Sequence, residues 1–229
     1  MKKNLVFASK KHQTLPFTIG GVTFWSKRLT GEEELLMAEG SDAVLSPAEQ
    51  LYQQAVRLAE MLTHRLQDQS VQIDQEWALK HLGTANTLEL VKFWRTGERP
   101  VDFQNETFDL PEWGESLVLG EGDDEHEFEA RATSFKEQIA LAQSTPAGLD
   151  FDNLSDAESV ETIRTLSVFV TDLVNARLKR GEPVDASWLL KQLQIAEITQ
   201  LMTYLTSGEV PSEGEEEDPN AESAEALSA

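Results

Sequence analysis

Apolar and polar residues alternate from Leu15 to Trp25 and the alternation is interrupted once, at Gly20-Gly21. Phe17, Ile19, Val22 and Phe24 fall on one face and Thr18 and Thr23 on the other. A glycine pair accepts the positive φ angles of a two-residue turn, so the stretch predicts a β-hairpin. Beyond it the period lengthens to that of a helix. Leu51, Ala55, Leu58 and Leu62 make one apolar stripe, and Ile163, Leu166, Val170 and Leu173 make a second. Both striped helices end in Arg-Leu, as Arg65-Leu66 and Arg177-Leu178. Helix starts are marked by capping residues: Thr30 with Glu33, Ser46-Pro47 with Glu49, Ser134 with Glu137, and Ser155 with Glu158. In each, a hydroxyl can accept the third amide while the glutamate reaches back.

The pattern is written twice. Residues 74–98 recur without a gap as 185–209, carrying Asp74, Trp77, Leu79, Leu82 and Gly97 over to Asp185, Trp188, Leu190, Leu193 and Gly208. A segment copied with its tryptophan, leucines and terminal glycine in register is a structural unit used twice. Each block reads as two helices. The aspartates cap the first, whose Trp77, Leu79 and Leu82 (Trp188, Leu190, Leu193) are expected to point inward. Leu90, Phe93 and Trp94 (Leu201, Tyr204, Leu205) form the apolar side of the second, and the glycines end it as left-handed caps. A second hairpin is expected from Leu117-Val118-Leu119 and residues 128–131 around an acidic turn at 120–127. The predicted fold is therefore mostly α, of the α+β class: two tandem copies of a β-hairpin plus about four helices. The copies span 1–98 and 115–209, with a linker at 99–114 and a disordered acidic tail at 210–229.

Charge and composition narrow the function. With 41 acidic and 19 basic residues the net charge is -22, a field that repels nucleic acid and anionic lipid and draws basic protein partners. Part of the excess is local, since 210–229 holds seven acids and no base. No cysteine is present, which removes disulfides, thiolate nucleophiles and cysteine-ligated zinc. Residues 7–12 follow Met1-Lys2-Lys3 where a signal peptide would need an apolar run, and no apolar stretch is long enough to span a bilayer, so a cytoplasmic protein is expected.

Candidate chemistry is sparse. His12, His64, His81 and His126 lie on separate elements without metal-ligand spacing, and no Gly-x-Ser-x-Gly elbow occurs. The acidic turn lacks the alternating ligands of a calcium hand and reads as a solvated loop. The sequence thus predicts no catalytic, cofactor or metal residues. Trp25, Trp94 and Trp113 have no counterpart in the second copy, and aromatics that escape a structural template are candidate partner contacts.

The run Phe17-Thr18-Ile19-Gly20-Gly21-Val22-Thr23-Phe24, then Arg28-Leu29-Thr30 with Glu32, Glu33 and Glu34, resembles the start of the phage tail assembly chaperones. The helices from Trp77 to Gly97 are similar to the helical body of that family. The resemblance covers about the first hundred residues and implies a non-enzymatic protein of an infected or lysogenic bacterium. Its partners would be the long helical tape-measure protein and the tail-tube subunit, with no nucleic acid and no membrane. The chain departs from the family in carrying the unit twice and in replacing Gly-Gly by the acidic turn in its second hairpin. Two other classes fit the composition: a structural or connector protein of the virion, and an acidic DNA mimic.

Overall fold

The computed structural model describes residues 14–38, 45–99, 106–144 and 156–208, with side chains from Val160 onward in the last stretch. The tail at 210–229, the Ser155 cap and His12 lie outside the described residues. The element order is β1 (Pro16–Ile19), β2 (Val22–Trp25), α1 (Gly31–Ala38), α2 (Pro47–Thr63), α3 (Gln75–His81), α4 (Thr84–Thr96), β3 (Leu117–Leu119), β4 (His126–Phe128), α5 (Phe135–Ser144), α6 (Asp156–Asn175), β5 (Leu178–Arg180), α7 (Ala186–Gln192) and α8 (Ile195–Ser207). The chain is α+β and mostly helical. Among the described residues no helix is long and apolar enough to cross a membrane.

Local chemistry sets most of these elements. β1 and β2 pair antiparallel with Phe17 opposite Phe24 and Ile19 opposite Val22, and Gly20 and Gly21 take φ of 56° and 74°, as a two-residue hairpin turn requires. Capping boxes open α1 and α5: the amide of Glu33 donates to Thr30 Oγ1 and the amide of Thr30 to Glu33 Oε2, with Ser134 and Glu137 doing the same. Asp74 and Asp185 accept the amides of Trp77 and Trp188 at 2.8 and 2.7 Å. Gly97 and Gly208 close α4 and α8 in the left-handed conformation.

The Arg-Leu segment, expected at the end of each long helix, pairs with the neighbouring hairpin instead, as an isolated bridge in the first copy and as a third strand in the second. The Trp25 amide donates to the Arg65 carbonyl at 2.7 Å and Phe24 bridges Leu66. In the second copy the same segment is β5, which extends a sheet of order β3-β4-β5. Satisfying the backbone groups on an open hairpin edge is the physical reason for the addition.

Two cores form, and they interlock. The first gathers Phe17, Phe24, Leu58, Leu62, Leu90, Phe93 and Trp94, and the second Phe128, Val170, Val174, Leu189, Ile198 and Leu205. Phe108, within the stretch read as a linker, is fully buried in the first core, and the Phe108 amide donates to Thr18 O at 2.8 Å along the free edge of β1. Phe135, the first residue of α5, is also buried in the first core. The two copies therefore share packing, with Phe108 and Phe135 both in the first core. Leu190 departs from the inward position expected of it. It is exposed, and Leu189 fills the core in its place, where α3 has the smaller Ala78.

Candidate partner-binding surface

An arginine at the end of each long helix is drawn into the protein and paired with the glutamate of the neighbouring capping box. Arg65 is almost fully buried; its Nη1 and Nη2 donate to Glu33 Oε1 and Oε2 at 2.6 and 2.9 Å. Nη1 also donates to the Met61 carbonyl, and the guanidinium lies 4.4 Å above the Trp94 ring. In the second copy Nε and Nη2 of Arg177 donate to Glu137 Oε1 and Oε2, each at 3.2 Å, and Nη1 donates to the Arg131 carbonyl at 2.8 Å. Arg131 reaches the same carboxylate from outside, Nη2 to Oε1, at 3.0 Å. Burial alone would raise both glutamates. The hydrogen bonds and charge of their arginines outweigh it and hold Glu33 and Glu137 below the usual carboxylate range.

Above each pair lies a groove between the capped helix and the long helix. The α1–α2 groove is about 690 Å³ and is lined by Lys27, Glu32, Leu36, Glu60, Met61 and His64. The α5–α6 groove is about 700 Å³ and is lined by Lys136, Ala140, Arg164, Val168, Leu173 and Ala176, among others. In the register fixed by the two arginines Met61 corresponds to Leu173 and His64 to Ala176, and in the register fixed by Glu33 and Glu137 Leu36 corresponds to Ala140. The grooves are thus one feature, used twice.

What distinguishes the copies is a helix. α5 packs against α6 of its own copy and also across α2 and α3 of the first. Its Phe135 amide donates to Leu82 O at 2.6 Å, Thr84 Oγ1 donates to Gln138 Oε1 at 2.9 Å, and Ile139 faces Tyr52 and Ala48 across a shallow cleft. Gly83 permits the approach, since a Cβ there would fall 2.1 Å from the Thr133 carbonyl oxygen. Among the described residues nothing lies in the same way on α6 and α7. Leu193 is half-buried where Leu82 is fully buried, and Gln194 stands in place of Gly83. Val160 and Val168 (52% exposed) on α6, Leu190 on α7 and Ile195 (53%) at the start of α8 are exposed in the second copy. An amphipathic helix from elsewhere in the chain fills the first copy's seat, and the equivalent seat on the second copy is bare.

The three tryptophans singled out by the sequence do not come together. Trp94 is fully buried beneath Arg65 and offers no surface to a partner. It escapes the repeat because Arg65 uses its ring as a platform, whereas Arg177 has Leu205 at that position and the added company of Arg131. Trp25 is half-buried at the end of β2. Trp113 lies against Gly208, whose Cβ would fall 2.7 Å from its ring, and meets Tyr204 edge-on at 6.0 Å. It fastens the connecting segment to the end of α8.

Two histidines make structural pairs. His81 stacks on Trp77 at 4.9 Å beneath the Gly20 turn, and His126, from the other hairpin, meets the equivalent Trp188 at 4.9 Å. Burial, followed by the charge of Lys80, holds His81 below the ordinary histidine range. The acidic turn is tied down rather than wholly solvated: Asp124 Oδ2 accepts Trp188 Nε1 at 3.0 Å and Gln192 Nε2 at 2.9 Å, while Arg180 pairs with Glu125. Among the described residues no group of three or more His, Cys, Asp or Glu is placed to hold a metal. The sequence reading missed the bare α6–α7 seat. A signal was present in the mismatched positions of the repeat, Gly83 against Gln194 and Gly31 against Phe135.

In comparisons with known proteins, no protein-family model, no curated protein and no solved structure matches this chain.

Proposed function

We propose that the chain is a non-enzymatic binding protein for an amphipathic helix. On the resemblance of its first hundred residues, it acts as a tail assembly chaperone of a bacteriophage or prophage. Its partner is the tape-measure protein, with tail-tube subunits second, held in the host cytoplasm before assembly. The observation that carries the helix-binding part is the seat on α2 and α3 filled by α5, set beside the bare α6–α7 seat with Val160, Val168, Leu190 and Ile195 open. Helix-in-groove recognition uses apolar anchors spaced by a helical turn, and a surface that already holds one such helix has the required shape. The acidic field favours a basic partner and keeps the complex soluble.

Co-expression with a phage tape-measure protein, followed by affinity purification, tests the reading. Co-purification with the wild type and its loss with a Val168→Asp/Ile195→Asp variant is the expected result. A folded wild type that retains neither tape-measure nor tube protein contradicts it.

A further inference from the structure

The contact between the two copies runs one way. α5, from the second copy, rests on α2 and α3 of the first, with Ile139 facing Ala48 and Tyr52 and Gln138 accepting from Thr84 Oγ1. Units stacked in one direction leave their two end faces unpaired, a helix at the start of the stack and a seat at its finish. This chain has both.

The helix is α1. It opens with the same capping box as α5, so Glu33 corresponds to Glu137 and Leu35 to Ile139. Ile139 is half-buried in its seat, whereas Leu35 is 66% exposed and no residue of α1 is buried. The seat is on the second copy. In the register of the two arginines Ala48 and Tyr52 correspond to Val160 and Arg164, and in the register of Asp74 and Asp185 Thr84 corresponds to Ile195. Val160, Arg164 and Ile195 are all exposed. The positions through which α5 grips the first copy are therefore open on α1 and open on the second copy, and the two faces do not meet within one chain.

We propose that α1 of one chain docks on the α6–α7 seat of a second chain, as α5 docks on α2 and α3, so that free chains associate head to tail. Leu35 packs on Val160 and the aliphatic stem of Arg164. The contact joins two different surfaces, so each pair of chains still carries a free helix at one end and a free seat at the other. Two replacements make it weaker than the contact it copies. Gly31 stands in place of the buried anchor Phe135, and Gln194 in place of the Gly83 that lets the backbones approach. Association is thus reversible, and a partner helix that takes the same seat displaces it. The inference rests on the seat being a helix-binding surface, as in the proposed function. Its test uses this chain alone, so its failure is separable from failure of the chaperone reading.

The experiment is sedimentation equilibrium of the full-length chain at about 0.15 M salt, where a Debye length of about 8 Å damps repulsion between acidic chains. The weight-average mass of the wild type is expected to rise with concentration and to reach at least twice the mass of one chain by about 1 mM. Leu35→Asp and Val160→Asp, both at exposed positions, are each expected to stay at the mass of one chain. Mixed in equal amounts, the two variants are expected to recover a dimer and nothing larger, because the intact helix of the Val160→Asp chain fits the intact seat of the Leu35→Asp chain. A wild type that stays monomeric overturns the proposal. So does association of either single variant to the wild-type extent, or a mixture that stays monomeric or grows beyond a dimer. Circular dichroism checks that the variants fold, and Ile195→Asp replaces Val160→Asp if the latter does not.

Discussion

Arg177 Nε and Nη2 donate to the two oxygens of Glu137 at 3.2 Å each, which ties the end of the second long helix to the first turn of α5. Arg65 and Glu33 do the same in the first copy. These pairs fix the capped helix against the long helix and so set the width of both grooves. Removing Arg65 strands the Glu33 carboxylate, so Arg65→Met is expected to cost about 3–5 kcal/mol, read as a fall in the urea midpoint at unchanged slope. Arg177→Met is expected to cost less, because Arg131 still reaches Glu137 at 3.0 Å. Arg65→Met combined with Glu33→Leu is expected to cost less than Arg65→Met alone, because no charge is left unpaired.

Acid unfolding follows from the same carboxylates. Burial disfavours their charged form, but the arginines prevail, so the folded pKa of Glu33 and of Glu137 lies below that of an ordinary glutamate. The unfolded state then binds more protons in the window between the two values, and stability rises with pH there. The contribution is complete above about pH 4.5 and is lost as pH falls through the folded value. Stability measured by urea unfolding between about pH 3 and 6 is expected to show this slope, and Glu137→Gln is expected to reduce it.

α5 joins the copies through a close backbone approach and one anchor. Gly83→Ala puts a methyl against the Thr133 carbonyl, and overpacking of this kind costs about 1–3 kcal/mol. Gln194→Ala, at the exposed equivalent position, is expected to be close to neutral. Phe135→Ala empties a fully buried site in the first core and is expected to cost about 3–5 kcal/mol. Thermal unfolding of the three variants checks the order Phe135→Ala, Gly83→Ala, Gln194→Ala.

The parts of this fold that were legible in the sequence are those governed by neighbours in the chain. The Gly20-Gly21 turn, the Thr30 and Ser134 boxes, the Asp74 and Asp185 caps and the terminal glycines all satisfy backbone groups within a few residues, and each occurs as expected. The ingredients of the buried ion pairs were equally visible, as Arg65 and Arg177 after the stripes and Glu33 and Glu137 in the boxes. Their pairing was not, because it spans 32 and 40 residues and no periodicity encodes it. The crossing of α5 onto α2 and α3 was hidden for the same reason. Leu190 was misplaced because one helical step exchanges it with Leu189, and only tertiary packing decides which faces the core. Trp94 was misread because burial beneath a cation leaves no mark in the pattern.

The most direct measurement is the dissociation constant of the tape-measure protein for the wild type, for Val168→Asp and for Val118→Asp. Val118 is a similarly exposed valine on β3, outside the α6–α7 seat. Helix binding at that seat predicts at least a tenfold weakening for Val168→Asp, or about 1.4 kcal/mol, with Val118→Asp unchanged. Absence of binding by the folded wild type, or equal weakening by both substitutions, would contradict it.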